Sequence, residues 1–204
     1  MMLRVKYTLI SDRTRKVLTG LTILNFSGCL KLKDESLENI SDLTDLKELN
    51  LRGCRGLRLI NLSGLTCLKT LNLRLCKGLA SVYLSGLTCL RSLDLRWVIY
   101  MKDLVLEDLT DLTELNLGGC RRLRSANLSG LSQLKILLLN KNIESLRLFG
   151  LVNLSELDLS NCRNLTDMGI VSLEGLSNLK KIDLTGCENL TQDKKNELQG
   201  NLHY

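Results

Sequence analysis

The sequence predicts a β-rich repeat fold, a solenoid of short stacked coils, over most of its 204 residues. The stretch at residues 43–64, LTDLKELNLRGCRGLRLINLSG, returns with few changes at 65–86, 87–108 and 109–130. Aromatic residues make up only 3% of the chain, so leucine must supply the core. A period this short indicates identical small units, each of which buries its apolar side against its neighbours.

The repeat reads L-x-x-L-x-L-x-x-C and occurs eight times. We number its positions 1–9 and its copies coil 1 to coil 8, with position 1 at residues 21, 46, 68, 90, 112, 134, 154 and 179. Positions 4 and 6 are apolar between mostly polar neighbours, as in a strand buried on one face. Most coils are 22 residues long, coils 1 and 7 are 25, and coil 6 is 20. Strands one coil apart must pair in parallel.

The extended motif L-x-x-L-x-L-x-x-[CN]-x-x-L, over about residues 18–200, resembles the leucine-rich repeat. The 22-residue coils are similar to its short intracellular subclass. The coil LSELDLSNCRNLTDMGIVSLEG is similar to the cysteine-containing type of F-box receptors, although we expect no F-box here. The segment LSGLT-C-LK is also similar to trypanosome expression-site-associated leucine-rich repeat proteins. Those proteins carry a RING zinc finger, which this sequence lacks. The resemblance implies an α/β, right-handed solenoid with its parallel sheet on the concave face.

The ends of the array are expected to be capped. Residues 1–20 match the repeat poorly, with a strand-like alternation only at Leu3 and Val5, and are interpreted as an N-terminal cap or a decayed repeat. Residues 21–190 hold the eight repeats. Residues 191–204 are predicted to form a C-terminal capping helix and tail, with the helix beginning after Thr191 and ending at Gly200.

The side of each coil away from the main sheet is predicted from residues that follow position 9. In the 22-residue coils, apolar residues six and eight places later, such as Ile60 and Leu62, alternate again. This pattern predicts a short extended segment on the convex side. Only the 25-residue coils have room for a helix there, at residues 34–40 and 167–173. The fold is therefore expected to contain few helices.

Composition limits the cellular setting. The formal net charge is +6, and no apolar run is long enough to span a membrane. The charged N-terminus does not resemble a signal peptide. Six of the eight cysteines share position 9, which suggests a packing role, so we expect buried, reduced thiols and an intracellular (cytoplasmic or nuclear) protein. Seven Asn-x-Ser/Thr sequons leave open a secreted structural or adhesion protein, which glycans or disulfides would favour.

Catalytic chemistry has no support in the sequence. The single histidine, His203, forms no recognisable catalytic or zinc-binding pattern with serine or cysteine. Cys67 and Cys89 lie one coil apart, and a packing role is favoured over a metal or redox pair. The repeated Ser-Gly pairs are turns and not phosphate loops. We therefore expect no enzymatic activity, no metal and no cofactor.

The solvent-facing positions of the predicted sheet carry the candidate binding residues. Position 7 reads Arg52, Arg74 and Arg96 in coils 2 to 4, which places three arginines on adjacent strands ~5 Å apart. Such a ladder could bind an anion or an acidic partner. Acidic residues lie nearby, so a mixed-charge surface with weak ion pairs is the alternative. Asn or Asp at position 5, in seven of eight coils, is expected to bridge neighbouring strands.

Coil 4 departs most from the repeat. Trp97 stands at position 8, where glycine or a polar residue is usual, and Leu75 precedes it by one coil. Ile99 and Tyr100 replace the basic or glycine residues of the neighbouring loops. Together they predict an exposed apolar patch at the concave lip beside the arginines, rich in residues enriched at binding hot spots. A local packing role for Trp97 is the alternative.

Coil 6 also departs, because it is shorter and has Asn142 in place of cysteine. The Asn142 side chain is expected to hydrogen-bond the loop backbone. Coil 6 further adds Ile136 and Leu138 to the solvent-facing positions.

These observations favour a non-catalytic, monomeric protein-binding scaffold that uses its concave face, with a partner that could be acidic. A rigid sheet that presents side chains at fixed spacing loses little entropy on binding. An RNA- or polyanion-associated protein that binds through Arg52, Arg74 and Arg96 is the second candidate, and steep salt dependence would favour it.

Overall fold

The computed structural model describes residues 2–4, 20–106, 108–170, 173, 176–200 and 202. It confirms the predicted fold class, a β-rich parallel solenoid with few helices. Every coil contributes one short strand to the same side of the stack, which we call the front. Five coils contribute a second strand to the opposite side, the back. The leucines of both sets point inward between the two layers, where nearly all of them are buried.

The front strands follow the predicted positions 3–5. They are β1 (Met2–Arg4), β2 (Ile23–Asn25), β3 (Glu48–Asn50), β5 (Thr70–Asn72), β7 (Ser92–Asp94), β9 (Glu114–Asn116), β11 (Ile136–Leu138), β13 (Glu156–Asp158) and β14 (Lys181–Asp183). The first seven form one parallel sheet in that order, and β13 pairs with β14 alone. The register joins equivalent positions, as in Glu48↔Thr70 and Leu49↔Leu71. The repeat therefore sets both the strand boundaries and the register.

The back strands confirm the extended segments predicted for the 22-residue coils. They are β4 (Leu59–Asn61), β6 (Ser81–Tyr83), β8 (Asp103–Val105) and β10 (Ser125–Asn127). A further back strand, β12 (Ser145–Arg147), lies in coil 6, which has 20 residues. Strands β4 and β6 pair with each other, and β8, β10 and β12 form a second sheet. Each has one central side chain turned toward the core, such as Ile60, which is 1% exposed.

The helices are fewer and shorter than the sequence suggests. Coil 1 has two 3-10 helices, Asp34–Leu37 and Ile40–Asp42, in place of the predicted helix at 34–40. The helix predicted at 167–173 is wrong for the residues that the structure describes there, since a single turn ends at Ile170, which bridges to Leu146 of β12. Pairing of Ile170 with the back strand thus replaces the predicted helix at this point. Residues 171 and 172 lie outside the described ranges.

The C-terminal capping helix is confirmed as α1 (Gln192–Gly200). The Thr191 hydroxyl accepts a hydrogen bond from the Lys194 N–H at 3.2 Å, as an N-cap does. Leu198 is the buried contact of the helix with the core. At the other end, β1 pairs with β2 and confirms a strand at Leu3, whereas the rest of the expected cap, residues 5–19, falls outside the described part. Within the described residues, no helix has the length and apolar character needed to cross a membrane.

The front sheet is interrupted between coil 6 and coil 7. Strand β11 pairs only with β9, and β13 pairs only with β14. The connection from β11 to β12 has six residues, 139–144, whereas eight, 117–124, join β9 to β10 in the preceding coil. The two residues that coil 6 lacks are therefore missing from the front-to-back turn, next to the place where the sheet breaks.

Candidate functional site

The turn that follows the front strand has a left-handed backbone at position 8 in every coil except coil 6. Glycine occupies that position with φ between 73° and 77° in coils 1, 2, 5 and 8. Leu75 and Trp97 adopt the same conformation, with φ of 64° and 63°. A side chain with a Cβ is disfavoured there by roughly 1–2 kcal/mol. Coils 3 and 4 therefore hold two bulky residues in a conformation that suits glycine.

Hydrogen bonds hold this turn in register along the stack. The Gly53 N–H donates to the Arg74 carbonyl at 2.8 Å, the Leu75 N–H to the Arg96 carbonyl at 2.8 Å, and the Trp97 N–H to the Gly118 carbonyl at 2.9 Å. Because each bond joins position 8 of one coil to position 7 of the next, the backbone of neighbouring coils leaves little choice of φ. The surrounding stack thus imposes the left-handed conformation on Leu75 and Trp97.

Position 5 has a local role that differs from the expected one. Instead of bridging neighbouring strands, the Oδ1 of its Asn or Asp accepts the backbone N–H two residues later, as in an Asx turn. The distances are 3.0 Å for Asn50 and Arg52, 3.0 Å for Asn72 and Arg74, and 2.8 Å for Asp158 and Ser160. The repeated Asn or Asp at position 5 therefore stabilises the turn, because its short side chain accepts the nearest free backbone N–H.

Arg52, Arg74 and Arg96 lie on adjacent coils, as predicted, but their environments differ. Arg52 is exposed, whereas Arg74 and Arg96 are half-buried. Arg96 is held by Asp94 of its own coil, with Nε–O distances of 3.0 Å to both carboxylate oxygens and an Nη2–Oδ2 distance of 2.6 Å. Burial by itself would raise the pKa of Asp94, but hydrogen bonds from Arg96 and the charges of Arg96 and Arg74 lower it.

Arg74 is the least satisfied of the three. Its Nε is enclosed and has no hydrogen-bond partner among the described residues. Asp94 is near enough to interact electrostatically with Arg74, but its carboxylate oxygens accept hydrogen bonds from Arg96. A buried charged donor without an acceptor is unfavourable.

Trp97 and Tyr100 are both exposed in part, at 38% and 42%, and each lies beside an arginine of coil 5. The guanidinium carbon of Arg121 is 5.6 Å from the Trp97 ring centroid, and that of Arg122 is 4.5 Å from the Tyr100 ring centroid. These are cation–π distances. We call Trp97, Tyr100, Arg121 and Arg122 the aromatic–arginine cluster.

Gly119 explains how the Trp97 ring is seated. A Cβ placed on Gly119 would lie 2.7 Å from ring atom Cδ2 of Trp97, so the ring packs directly over this glycine. Any side chain at position 119 would displace it. Leu75 occupies the equivalent place one coil earlier and is half-buried, as is Ile99. Gly119 thus leaves room for the indole.

Arg121 and Arg122 are the residues that sequence reasoning did not assign. The signal was present, because coil 5 reads C-R-R-L where coils 2 and 3 read C-R-G-L and C-K-G-L. The second arginine takes the place of a loop glycine and comes to lie one coil from Tyr100. A contact between an arginine and an aromatic ring of the preceding coil can be predicted only once the register between the coils is known.

The cysteines have a structural role, as predicted. All eight are free thiols, the six at position 9 are buried, Cys67 is exposed and Cys89 is half-buried. The thiol of Cys54 donates to the Phe26 carbonyl of the preceding coil at 3.2 Å. Burial raises the pKa of the Cys54 thiol to about 12. A thiol with a raised pKa is protonated at neutral pH and is a poor nucleophile or metal ligand.

Coil 6 satisfies its turn in a different way. Leu138 replaces the position-5 amide, and Asn140, which is 4% exposed, accepts the Asn142 N–H at 2.8 Å instead. The Asn142 side chain donates to the Arg121 carbonyl at 3.0 Å, which confirms the expected bond to a loop backbone, although Asn142 is only half-buried. The Asx turn has therefore moved two residues along the chain.

Among the described residues, no group of three or more His, Cys, Asp or Glu side chains is placed to hold a metal ion. Comparison of the chain with known protein families and with curated proteins gave no match.

Proposed function

We propose that the chain is a leucine-rich repeat protein that acts as a non-catalytic, intracellular protein-binding scaffold through its front face. The observation that carries the proposal is the pair Leu75 and Trp97 at left-handed positions where four other coils have glycine. Strain of this kind persists only where the surroundings impose it, and it is frequent at binding sites. Here the strained position holds the only tryptophan of the chain, partly exposed, beside Arg121.

The chemistry around Trp97 favours an acidic partner. Arg52 is exposed, the Nε of Arg74 lacks an acceptor, and Arg121 and Arg122 lie over aromatic rings. Trp, Tyr and Arg are the residue types that most often dominate binding energy at interfaces. The turns and loops that carry them follow strands that pair in register, so little conformational entropy is lost on binding. Free, buried thiols suit the reducing compartment that we propose.

A polyanion such as RNA is the second candidate. The specific observation in its favour is the combination of an exposed indole with neighbouring arginines, since bases stack on aromatic rings and phosphates attract arginine. Binding to a polyanion releases counterions, so its affinity should fall steeply with salt concentration. A folded or peptide partner with a few carboxylates should show a much shallower dependence.

Affinity capture from an extract of the source cells, followed by quantitative mass spectrometry, tests the proposal. The bait is the wild type beside a Trp97→Gly/Arg96→Ala double variant, in which glycine restores the residue usual at position 8. Tyr83→Ser, which alters an exposed aromatic on the back, is the matched control. We expect proteins that are retained by the wild type and the control, resist nuclease and are lost with the double variant.

Two results would count against the proposal. Equal retention by all three baits would show that the cluster does not bind proteins. Loss of all ligands on nuclease treatment would favour the polyanion-binding function. A dependence of log affinity on log salt concentration that corresponds to several phosphates would favour it as well.

A further inference from the structure

The break in the front sheet creates a groove of about 480 Å³ between coils 6, 7 and 8. Its lining comes from β11, β13 and β14 and includes Ile136, Leu138, Glu156, Asp158, Lys181 and Asp183. This groove begins one coil after the arginines of the aromatic–arginine cluster and two coils after its aromatic residues, and none of the cluster's residues lines it.

The groove exists because the hydrogen-bond ladder stops. Along the front, the position-6 N–H donates to the position-5 carbonyl of the next coil, as from Leu117 to Leu138 at 2.7 Å and from Leu159 to Asp183 at 2.9 Å. Among the described residues, the corresponding bond from the Leu139 N–H to the Asp158 carbonyl is missing. The backbones of β11 and β13 are therefore not joined by this ladder, although the two strands remain neighbours.

The groove exposes apolar side chains that the fold does not use. Ile136 and Leu138 are 50% and 48% exposed, at positions that are polar in most other coils. Position 5 elsewhere carries the Asx turn, but in coil 6 that task belongs to Asn140. Leu138 is thereby released from any role in the turn, and its exposure has no structural benefit within this chain.

Acidic side chains surround this apolar pair. Across the register, Ile136 faces Glu114 of β9, and Glu156, Asp158 and Asp183 line the other side. Lysine is present as well, at Lys135 and Lys181, but the Lys181 Nζ is already 3.5 Å from a Glu156 oxygen. Four carboxylates against two ammonium groups leave a net negative charge.

Asp183 keeps its charge near neutral pH. Hydrogen bonds from the Thr185 N–H, at 2.9 Å, and from the Thr185 side chain lower the pKa of this carboxyl. The groove therefore combines an exposed aliphatic pair with a negative rim. A ligand that matches both is an extended peptide in which aliphatic residues alternate with lysine or arginine.

We propose that this groove binds an extended basic–aliphatic segment of a partner protein. The inference rests on the proposed protein-binding function but concerns a separate subsite, whose charge is opposite to that of the aromatic–arginine cluster. Aliphatic side chains of the segment contact Ile136 and Leu138, and its basic side chains lie against Glu114, Glu156, Asp158 and Asp183.

Selection from random heptapeptides displayed on phage tests this inference, with the whole chain as target. The subtraction target is the Ile136→Thr/Leu138→Asn double variant, which introduces the residues found at the same positions of coil 3, Thr70 and Asn72. Val105→Thr, which alters an exposed aliphatic residue on the back, is the matched control. Urea unfolding of each variant establishes that it is folded.

We expect selected sequences that combine lysine or arginine with aliphatic residues. A synthetic copy should bind the wild type and Val105→Thr equally within twofold, and the double variant at least tenfold more weakly. Should the double variant not fold, Glu114→Gln/Glu156→Gln keeps the shape and removes two charges, and it should weaken the peptide at least fivefold at low salt.

Several results would overturn the inference. They are selected sequences that are acidic or share no pattern, equal binding to wild type and the groove variants, or self-association of the chain that the double variant abolishes. Trp97→Gly separates the two proposals, because it should leave binding of the selected peptide unchanged. If capture by the aromatic–arginine cluster succeeds and no basic peptide is selected, the groove inference fails while the proposed function stands.

Discussion

Trp97 offers the sharpest test of how the repeat and the binding site share one position. We predict that the Trp97 ring stabilises the fold and that its strained backbone destabilises it. Two substitutions separate these two effects. Trp97→Ala removes the ring but keeps a Cβ at φ of 63°, whereas Trp97→Gly removes the ring and relieves the backbone. The difference in free energy of unfolding between the two variants therefore reports the strain.

The magnitude follows from the exposure of the side chain. With 38% of Trp97 exposed, about six-tenths of the roughly 150–250 Å² that a buried aromatic covers is removed from water. At ~25 cal/mol per Å², and after allowance for a compact unfolded state, the ring contributes about 2–3 kcal/mol. This exceeds the limit of ~1 kcal/mol expected for a fully exposed tryptophan and falls below the ~3–5 kcal/mol of a buried one.

Trp97→Ala should therefore lower the free energy of unfolding by about 2–3 kcal/mol, and Trp97→Gly by about 1 kcal/mol less, because alanine remains strained at positive φ. Urea unfolding followed by far-ultraviolet circular dichroism measures both, since the variants lack the only tryptophan. Leu75→Ala and Leu75→Gly, at the same position of coil 3, should show the same order.

The control for the sign is an exposed strand residue, Thr70, where glycine should be less stable than alanine. If Trp97→Gly were less stable than Trp97→Ala, position 97 would not be left-handed and the strain argument would be refuted. In the wild type, tryptophan emission intermediate between a buried and an exposed indole, partly quenched by iodide, should accompany the measured half-burial.

Three further predictions concern the interior and its turns. Burial raises the pKa of the Cys54 thiol to about 12, so between pH ~8.5 and ~12 the unfolded chain loses a proton that the fold retains, and stability should fall by ~1.4 kcal/mol per pH unit from this cysteine; Cys54→Ala should make urea midpoints fall less steeply with pH, and an equal effect of Cys67→Ala would contradict this. Asn140→Ala should lower the free energy of unfolding by ~1–3 kcal/mol because the Asn142 N–H loses its buried acceptor, and a change within a few tenths would show that water replaces it. Since the fold lowers the pKa of Asp94, its contribution is present above pH ~4 and disappears as pH falls through the lower folded value; Asp94→Asn should therefore flatten the acid side of the stability profile, and an unchanged profile would refute the role of Arg96.

The candidate site shows what register adds to a repeat. Arg52, Arg74, Arg96 and Trp97 could be predicted because each occupies a numbered position in successive coils. Arg121 and Arg122 could not, because their partners are rings in the preceding coil, and only the observed stacking brings those atoms within 6 Å. The ion pair between Arg96 and Asp94 belongs to the mixed-charge alternative that the sequence left open, and only the structure shows that it forms.

The sequence by itself determined the solenoid, its parallel front strands, the back strands of the 22-residue coils and the buried cysteine row. Those features follow from periodic burial, in which every coil repeats the same choice between core and water, so one copy of the pattern predicts all the others. The tertiary structure decided what happens where the pattern fails. A turn shortened by two residues, an indole over Gly119 and a helix replaced by a back-sheet bridge depend on contacts between coils, and such contacts have no period along the chain.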